Sequence, residues 1–434
     1  MKSVAVIGAG WAGAAAALTL ARAGRKVTVF EAAKSVGGRA RNVEHDGRNF
    51  DNGQHLLLGA YTQTLVLIGS VHANLHEVFL RIPLALNTAP SLDSPLQLRA
   101  PRVIAPLHLL AAIATARGLS MADKVSTLFW AARHLRGTPL KLDDTRTVAE
   151  ILATQPEPAR RLLWEPLCIA ALNTAAHTAS ARVFINVLQQ AFNGDASASD
   201  LIIPTVDLAQ LLPTPALAEV TRLGGDVRLG QAVMSVHQDA FTATVTTRDD
   251  RENFAAIVIA TGPQHVARLL GDSPEQQAMA GALTALKYEP ITTLYFEFAH
   301  APASVSTGML MLDGNPGQWL FWQRRPNGHW RASVVISAHH QHETASDLLT
   351  CALSQLRRSY ALPAPVWHTN ITEKRATYAC TPAQSALLAT LPARIGQFFF
   401  AGDWCFPSLP ATLEAAVISG KNAAQSLLAD RGEG

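Results

Sequence analysis

The sequence has few cysteines, and no two of them have the CxxC spacing of a metal or redox site. Four occur in 434 residues, namely Cys168, Cys351, Cys380 and Cys405. Neither a disulfide framework nor a zinc site is expected from so sparse a set in a chain of this size. We interpret all four as reduced thiols.

Long apolar runs and clusters of like charge are also missing. No apolar run reaches the roughly 18 residues that a membrane-spanning helix needs, and a glycine-rich turn follows the N-terminus too closely for a secretory signal. Charged residues make up 16% of the chain, and the formal net charge is only +3, so clustered basic residues typical of nucleic-acid binding are not evident. We expect a cytoplasmic protein that does not bind nucleic acid.

The sequence contains no Ser-His-Asp pattern and no nucleophile elbow. The histidine-rich stretch over residues 339–343 lacks a paired ligand motif, so we interpret it as a surface loop and expect no metal site. Hydrophobic residues form 48% of the chain, which is enough to bury two or three lobes at this length. The chemistry is therefore expected to come from a bound organic cofactor.

The N-terminal segment has the order strand, glycine turn and helix. A β-branched run, KSVAVI, precedes GAGWAG, and the helical segment AAAALTLARAG follows. In such a unit Gly8 permits a tight turn, Gly10 lets the backbone approach a pyrophosphate, and Gly13 lets the helix pack on the strand. The order predicts a dinucleotide site at the start of the helix.

Other residues of this unit are expected to complete the dinucleotide site. Glu31 ends the next strand, KVTVFE, where its carboxylate can accept a hydrogen bond from a ribose hydroxyl. Trp11 and Ala12 lie between the second and third glycines, at the predicted helix N-terminus, and are expected to contact the same ligand. These residues alone do not distinguish NAD from FAD, because both contain an ADP half.

Three further segments resemble those of flavin-dependent amine oxidases and carotenoid desaturases. In the first, VGGRA, the resemblance implies that Gly38 and Arg39 hold the flavin dinucleotide's phosphates, and a guanidinium beside glycine amides suits that role. The second segment, GGDVRLGQAVMSV, resembles a strand whose middle residue, Val233, contacts adenine through its backbone. The third lies near the C-terminus and reads FFFAGDWCFPSLPATLEAAV.

The C-terminal segment implies two flavin contacts. Gly402 and Asp403 form the turn whose carboxylate contacts the ribityl-phosphate region in that superfamily. Thr412, Leu413 and Glu414 begin a helix whose positive end would stabilise the anionic reduced flavin. The resemblance implies an α/β fold: a Rossmann-like FAD-binding domain of the amine oxidase and glutathione reductase type, with an inserted α+β substrate domain.

The flavin segments divide the chain between two domains. We predict that residues 1–61, 206–289 and 386–434 form the FAD-binding domain, and that residues 62–205 and 290–385 form the substrate domain. The first substrate block is mainly helical by pattern. In the second, WLFWQ and HWRASVVIS are joined by RRPNG, which predicts a β-hairpin.

Residues 101–137 combine apolar stretches with five basic residues and one acid, Asp123. A helix pair of this kind can rest on the inner face of the membrane and admit a lipid. The alternative is a solvated basic face over a buried apolar stripe. Both interpretations are compatible with the sequence.

Two stretches outside the general flavin signatures are more specific. DNGQHLLLGAY, over residues 51–61, and WEPLCIAALNTAAHTASARVF, over residues 164–184, resemble the hydroxysqualene dehydroxylase family. The resemblance implies non-covalently bound FAD and reductive removal of an allylic hydroxyl from hydroxysqualene, which gives squalene. It also implies a long apolar isoprenoid substrate and an electron donor such as NAD(P)H or reduced flavin.

The GQH triplet supplies the candidate catalytic residue. Gly53 and Gln54 are expected to contact flavin or substrate, and His55 is our candidate for the acid that protonates the departing hydroxyl, because imidazole titrates near neutral pH. The alternative for His55 is a contact with flavin without acid catalysis. Cys380 lies where some amine oxidases attach flavin covalently, although a buried thiol is the simpler interpretation.

Other functions are compatible with a fold of this kind. A carotenoid or isoprenoid desaturase, or an amine oxidase, would use the same fold with oxidised FAD. A prenyl-binding escort protein of the GDP-dissociation-inhibitor type would share the fold without flavin. The retained glycines, Glu31, Arg39 and Asp403 favour a flavoenzyme.

Overall fold

A computed structural model describes residues 3–89, 95–135, 145–192, 195–239, 241–300, 302, 308–325, 327–339 and 344–430. The strands are β1 Ser3–Ile7, β2 Lys26–Glu31, β3 Asn42–His45, β4 Arg48–Asp51, β5 Leu57–Leu58, β6 Phe79–Ile82, β7 Ala85–Thr88, β8 Gln97–Arg99, β9 Leu201–Pro204, β10 Asp226–Leu229, β11 Ser235–Gln238, β12 Ala243–Thr246, β13 Arg251–Phe254, β14 Ala256–Ile259, β15 Tyr288–Phe298, β16 Gly308–Met311, β17 Trp319–Arg324, β18 Trp330–Ser337, β19 Trp367–Tyr378, β20 Arg394–Ile395 and β21 Phe398–Phe400.

The α-helices are α1 Trp11–Arg22, α2 Thr62–Gly69, α3 Leu107–Thr115, α4 Met121–Leu135, α5 Val148–Leu152, α6 Glu157–Ala159, α7 Glu165–Leu172, α8 Ala181–Phe192, α9 Leu208–Leu211, α10 Pro213–Arg222, α11 Pro263–Leu269, α12 Pro274–Thr284, α13 Ala345–Ser359, α14 Pro382–Ala389 and α15 Leu413–Ala429. A π-helical turn over Arg160–Trp164 joins α6 to α7. None of the helices in the described ranges is long and apolar enough to cross a membrane.

The central sheet has six strands in the order β10-β2-β1-β14-β21-β20. The first five are parallel, and β20 pairs antiparallel with β21. Helices α1, α10 and α15 pack against one face through alanine-rich and valine-rich surfaces, and α11 and α12 contribute to the apolar cluster on the other. Buried β-branched strands covered on both faces are the expected form of a parallel sheet.

The second large sheet has seven strands in the order β19-β15-β18-β17-β16-β7-β8. Helix α13 packs on one face, where the apolar cluster includes Leu294, Phe296 and Leu348. Helices α3 to α8 form a separate apolar cluster that includes Trp130 and Trp164, and this cluster meets the sheet through Trp319 and Val335. The sheet and these helices therefore enclose an interior distinct from that of the central sheet.

The predicted fold class is confirmed: the chain is a mixed α/β protein with a Rossmann-like sheet and a second, mainly antiparallel sheet. The predicted hairpin is formed by β17 and β18, which pair antiparallel from Trp319 with Val335 to Arg324 with Trp330. The exact domain boundaries stay a prediction. Of the histidine-rich stretch, residues 340–343 lie outside the described residues, and the described ones contain no cluster suited to a metal ion.

The structure differs from the sequence analysis around Val233. The segment was expected to be one strand, but β10 ends at Leu229 and β11 begins at Ser235, so Val233 lies between them. The chain leaves the central sheet at Gly230, which has φ +70°, and enters the three-stranded sheet β11-β12-β13. A change of sheet requires a break in the strand, and a pattern of apolar residues does not reveal one.

Candidate active site

Glycines at two positions shape the turn between β1 and α1. Gly8 has φ +105°, and a Cβ there would lie 2.7 Å from the carbonyl oxygen of Ala260. A Cβ at Gly13 would lie 1.9 Å from the carbonyl oxygen of Gly8, far inside van der Waals contact. The packing of α1 against the strands therefore requires both glycines.

Gly10 differs, because the fold itself would accept a side chain at this position. It has φ −76°, and the nearest atom to its Cβ would be the Cα of Gly38, at 3.7 Å. Gly10 is also the N-cap of α1 and provides no side-chain acceptor for the N–H groups of the first turn. An uncapped helix N-terminus with open space before it suits an anion such as a pyrophosphate.

Two buried polar groups beside this turn have no protein partner among the described residues. They are the indole N–H of Trp11 and the hydroxyl of Thr261. Thr261 lies next to the turn, since its Cγ2 would be 3.3 Å from a Cβ at Gly8. Unpaired buried polar groups are costly unless a ligand or water satisfies them, so both groups are available to a bound molecule.

Ala12 is buried in the first turn of α1, at its contact with α15. A Cβ at Gly420 in α15 would lie 2.1 Å from the carbonyl oxygen of Ala12. The close approach of the two helices fixes the direction in which the start of α1 points. Ala12 thus has a packing role in addition to the ligand contact expected from sequence.

Glu31 lies at the end of β2, directly beside the glycine turn. Its Oε2 accepts a hydrogen bond from the N–H of Ala9 at 2.7 Å, and its Oε1 accepts one from the N–H of Ala33 at 2.9 Å. A carboxylate has about four acceptor positions, so these two bonds orient it and leave others for ribose hydroxyls. The segment that leads to Val233 is attached to the end of β2, because the N–H of Gln231 donates to the carbonyl of Glu31 at 2.9 Å.

Arg39 and Asp403 form an ion pair between the two ends of the chain. The guanidinium Nη2 lies 2.7 Å from Asp403 Oδ2, and Nη1 donates to the carbonyl of Ala376 at 2.8 Å. Burial opposes the charge of Arg39, but Asp403, assisted by Glu373 and Tyr288, outweighs it, and the arginine pKa is raised. The pair keeps a fixed cation beside Gly38 and fixes the turn at Gly402.

The N-terminus of α15 is capped by Thr412, whose side chain accepts a hydrogen bond from the N–H of Ala415 at 3.2 Å. Leu413 begins the helix, and Glu414 is buried. Both oxygens of Glu414 accept bonds from the start of α2, from the N–H groups of Gln63 and Thr64 at 2.9 Å each. Glu414 therefore ties α2 to α15, a structural role that the sequence analysis did not anticipate.

The GQH triplet forms a tight loop after β4. Gly53 has φ +101°, and its carbonyl lies 3.0 Å from Nδ1 of His55, so Nδ1 carries the hydrogen. The side-chain amide of Gln54 donates to the carbonyl of His55 at 3.2 Å. Burial, with a smaller contribution from Arg39, lowers the pKa of His55. The imidazole is therefore mainly neutral at neutral pH, with Nε2 as its acceptor atom.

Sequence reasoning missed the residues that hold this loop against the second sheet. Thr293 in β15 is fully buried, and its Oγ1 accepts a hydrogen bond from the N–H of Gln54 at 3.3 Å. The hydroxyl of Tyr295, two residues further along the same face, donates to the carbonyl of Asp51 at 3.1 Å. The only sequence signal was the alternation in TTLYFEF, which identifies a strand but not its partner.

Beyond the triplet, the chain enters the apolar interior. Leu57 is fully buried, and Leu56 and Leu58 pack against the cluster of α3 to α8. A cavity opens within that cluster, and no charged side chain of the described residues lines it. Its lining is Leu84, Leu86, Leu98, Pro106, Leu109, Leu110, Ala112, Ile113, Ala131, Ala132, Leu135, Leu163, Trp164, Leu167 and Phe192.

The arrangement fits a flavin dinucleotide. The uncapped α1 N-terminus, the open space at Gly10 and the unpaired hydroxyl of Thr261 lie at the same turn, and Trp11, which also has an unpaired N–H, begins α1. Residues 11–428 match the family of flavin containing amine oxidoreductases. The chain belongs to that family, and it is an FAD-dependent oxidoreductase.

Full-length relatives support the narrower resemblance stated from the sequence. The chain is 29% identical over 452 aligned positions to "Hydroxysqualene dehydroxylase" of Rhodopseudomonas palustris, and the alignment covers 99% of both chains. It is 26% identical to the protein of the same name from Zymomonas mobilis, again over 99% of both. By contrast, "Phytoene desaturase" of Fusarium fujikuroi is 51% identical over only 57 residues, or 13% of this chain and 10% of that protein. The resemblance to hydroxysqualene dehydroxylases is confirmed.

Solved structures share the fold at low identity. A putrescine oxidase bound to putrescine has a TM-score of 0.73 and 17% identity, with 99% of each chain covered. A reduced UDP-galactopyranose mutase has a TM-score of 0.73 and 14% identity, with coverage of 100% of this chain and 97% of that one. These similarities establish the architecture only, since enzymes with such different substrates share it.

Proposed function

We propose that the protein catalyses the FAD-dependent reductive dehydroxylation of hydroxysqualene to squalene. The observation that carries the proposal is its similarity over 99% of the chain to proteins named hydroxysqualene dehydroxylase. In the balanced reaction, hydroxysqualene and reduced FAD give squalene, water and oxidised FAD. Family membership favours an enzyme over a prenyl-binding escort protein.

The proposed cofactor site uses the two ends of the chain and the middle segment. Gly8, Gly10 and Gly13 admit the pyrophosphate to the α1 N-terminus, and Glu31 accepts hydrogen bonds from the adenosine ribose. The remaining proposed FAD contacts are Trp11, Ala12, Gly38, Arg39, Gly53, Gln54, His55, Val233, Gly402, Asp403, Thr412, Leu413 and Glu414. When bound, reduced FAD supplies the hydride that replaces the hydroxyl.

The apolar cavity is the proposed site for part of the isoprenoid chain. Its described lining offers no charged group, so a hydrocarbon gains from leaving water while a charged substrate does not. The Leu56–Leu58 run connects the GQH loop to the same cluster, which favours a path from the cavity to the proposed flavin position. The hydroxyl would then be the one polar group near this loop.

His55 is the proposed proton donor to the departing hydroxyl. Protonation assists because hydroxide is a poor leaving group, and an acid must carry its proton to act. Since burial lowers the pKa of His55, the imidazolium fraction grows only as pH falls below its ordinary value of 6.5. We therefore expect turnover to rise as pH falls through that range, and the His55→Gln variant to lose both activity and this pH dependence.

If His55→Gln keeps the wild-type rate, His55 is not the acid. The FAD content of His55→Gln, measured from its absorbance, is the control for a structural role. If FAD content and turnover fall together, His55 serves the cofactor and not the proton transfer.

Product identification tests the proposed function. Enzyme reduced anaerobically with dithionite is incubated with hydroxysqualene, and extracts are analysed by mass spectrometry for squalene. Oxidised enzyme and FAD-depleted protein are the controls and should give none. Absence of squalene from the reduced enzyme would refute the proposal, and new double bonds formed by the oxidised enzyme would favour a desaturase.

We also propose that α3, α4 and the segment before α3 rest on a membrane surface from which the substrate is taken. Ile104 and Phe129 are each 74% exposed, and Met121 is 72% exposed. Large apolar side chains so exposed on neighbouring elements mark an interaction surface. The basic residues in the same described segment are Arg102, Arg117, Lys124 and Arg133.

The position of the apolar cavity supports this proposal. Its lining includes Leu109 and Leu110 from α3 and Ala131 and Ala132 from α4. A lipid in the membrane would therefore meet the cavity at the helices that carry the exposed side chains. Basic residues beside them would attract anionic headgroups.

Vesicle binding tests the membrane proposal. Phe129→Ser should weaken co-sedimentation with anionic phospholipid vesicles by about tenfold or more, because burial of a phenylalanine contributes about 1.5–3 kcal/mol. Phe241→Ser is the matched control, since Phe241 is 84% exposed in the turn before β12. Equal loss in both variants, or no binding by the wild type, would contradict the proposal.

A further inference from the structure

A second cavity, of about 660 Å³, lies between the GQH loop, the segment around α9 and the β17–β18 hairpin. Its volume is within the range of small-molecule sites. Gln54 and His55 line one wall, so the cavity adjoins the loop proposed to contact flavin. Unlike the cavity among α3 and α4, it is lined by polar and charged side chains, including Arg324, Arg325 and Arg331.

Arg331 is the clearest sign that this cavity is built for a ligand. The residue is 4% exposed, and its Nε has no hydrogen-bond partner among the described residues. Within the described part of the chain its one ion-pair contact is long, at 3.4 Å from Nη2 to Glu297 Oε2. Burial, together with Arg325, lowers the pKa of Arg331. A buried guanidinium with an unused donor is costly unless an anion meets it.

Glu297 does not neutralise the cluster by itself. Its Oε1 lies 2.8 Å from Arg48 and 2.9 Å from Nδ1 of His329, so Arg331 does not have this carboxylate to itself. Of the three arginines that line the cavity, Glu297 contacts only Arg331 in the described structure.

The carboxylates that face the cavity do not balance its arginines. They are Asp51, which accepts a hydrogen bond from the N–H of Leu208 at 2.9 Å, and Asp207, which accepts one from the amide of Asn42 at 2.7 Å. Burial, opposed by the Leu208 N–H and assisted by Asp207, raises the pKa of Asp51 to about 7. Three guanidinium groups and two carboxylates thus line the cavity, and Glu297, which contacts Arg331, is shared with Arg48.

We propose that this cavity binds a phosphate-bearing redox nucleotide that supplies electrons to FAD. Arg324, Arg325 and Arg331 would hold the phosphate, and the redox ring would lie toward Gln54 and His55. The shared chemistry is that of a reduced nicotinamide dinucleotide or reduced flavin mononucleotide. This inference rests on the proposed function, because only a reductive reaction consumes such a donor.

The electron transfer balances for either donor. A reduced nicotinamide gives a hydride to oxidised FAD and leaves as the oxidised nucleotide, while solvent supplies the second proton. A reduced flavin mononucleotide gives two electrons and two protons and leaves oxidised. In both cases the FAD is left reduced for the next turnover.

Equilibrium binding to the FAD-loaded protein tests the site without turnover. Calorimetric titrations use NADP⁺, NAD⁺, oxidised flavin mononucleotide and pyrophosphate alone. The double variant R324A/R325A should weaken nucleotide binding at least about tenfold, because charge-assisted hydrogen bonds to phosphate are lost. Arg161→Ala is the control, since Arg161 pairs only with Glu157 at the surface in the described structure.

Anaerobic bleaching of the flavin absorbance by NADPH, NADH or reduced flavin mononucleotide then identifies the donor. The proposal predicts saturable bleaching by at least one, with the concentration for half-saturation raised about tenfold or more in R324A/R325A. Binding of pyrophosphate without any nucleotide, or nucleotide binding unchanged in the double variant, would overturn it. Squalene formation by dithionite-reduced wild-type enzyme tests the proposed function separately, because that reductant needs no nucleotide site.

Discussion

Substitution of Gly10 by alanine separates cofactor binding from folding. Gly10 has φ −76° and ψ −174°, which alanine adopts freely, and a Cβ would have 3.7 Å to its nearest neighbour. We expect the stability of the apoprotein to change by no more than about 1 kcal/mol, the usual range for a changed N-cap. The new methyl group would instead occupy space assigned to the FAD pyrophosphate.

The expected loss of affinity follows from displacement of that phosphate. Weakening one charge-assisted hydrogen bond costs about 1.5–3 kcal/mol, so the Kd for FAD should rise about 10-fold to 150-fold. The assay is a titration of FAD-depleted protein followed by flavin fluorescence, with thermal unfolding of the apoprotein measured in parallel by circular dichroism.

Two other glycines provide controls for this experiment. Gly13→Ala should destabilise the apoprotein itself, because its Cβ would lie 1.9 Å from a backbone oxygen. Gly281→Ala in α12 should leave FAD affinity unchanged, since no atom lies within 4 Å of that Cβ. If Gly10→Ala binds FAD as tightly as the wild type, the pyrophosphate does not lie where we have placed it.

Three further predictions concern charged and thiol groups. Asp403→Asn should release FAD more readily, because Arg39 loses its ion-pair partner at 2.7 Å. Fluorescence of free flavin after gel filtration measures the release. Equal retention of FAD by the variant and the wild type would argue against a role of Asp403 in FAD binding. The pKa of Asp51 is raised from 3.8 to about 7, so the folded state binds its proton more tightly and stability should fall as pH rises through that window. The free energy of unfolding of Asp51→Asn, measured with urea at several pH values, should lack this part of the pH dependence. The same pH dependence in the variant and the wild type would refute the raised pKa. Burial raises the pKa of the Cys380 thiol to about 12, so we expect no covalent link, and acid precipitation should leave all yellow colour in the supernatant.

The sequence was most informative where local geometry alone sets the residue type. The roles expected of Gly8 and Gly13 in the turn and in helix packing agree with the clashes that a Cβ would make there. Both depend on contacts within one strand-turn-helix unit, whose order can be read along the chain. The fold class followed from the same unit and its resemblances.

Contacts between distant segments could not be predicted in this way. Glu414 stays a proposed flavin contact, and the hydrogen bonds by which its oxygens cap α2, some 350 residues earlier in the chain, were not predicted. Thr293 was recognised only as part of a strand, and its bond to Gln54 depends on how the second sheet meets the first domain. A residue's type and local pattern do not specify a partner that the tertiary fold supplies.

The same limit applies to the arginine-lined cavity. Arg324 and Arg325 belong to the hairpin predicted from its turn residues, yet nothing in that pattern indicates that they face Asp51 and His55. The buried state of Arg331 was equally hidden, because arginine usually lies at the surface. Burial of a charged residue is visible only after the strands are assembled.

In the proposed reaction, bound FAD delivers its reducing equivalents to hydroxysqualene. The most direct measurement is an anaerobic single turnover, in which stoichiometrically reduced enzyme is mixed with hydroxysqualene and both flavin absorbance and squalene are followed with time. We expect one squalene for each flavin reoxidised, at a single shared rate. Squalene formed without flavin reoxidation, or reoxidation without squalene, would contradict it.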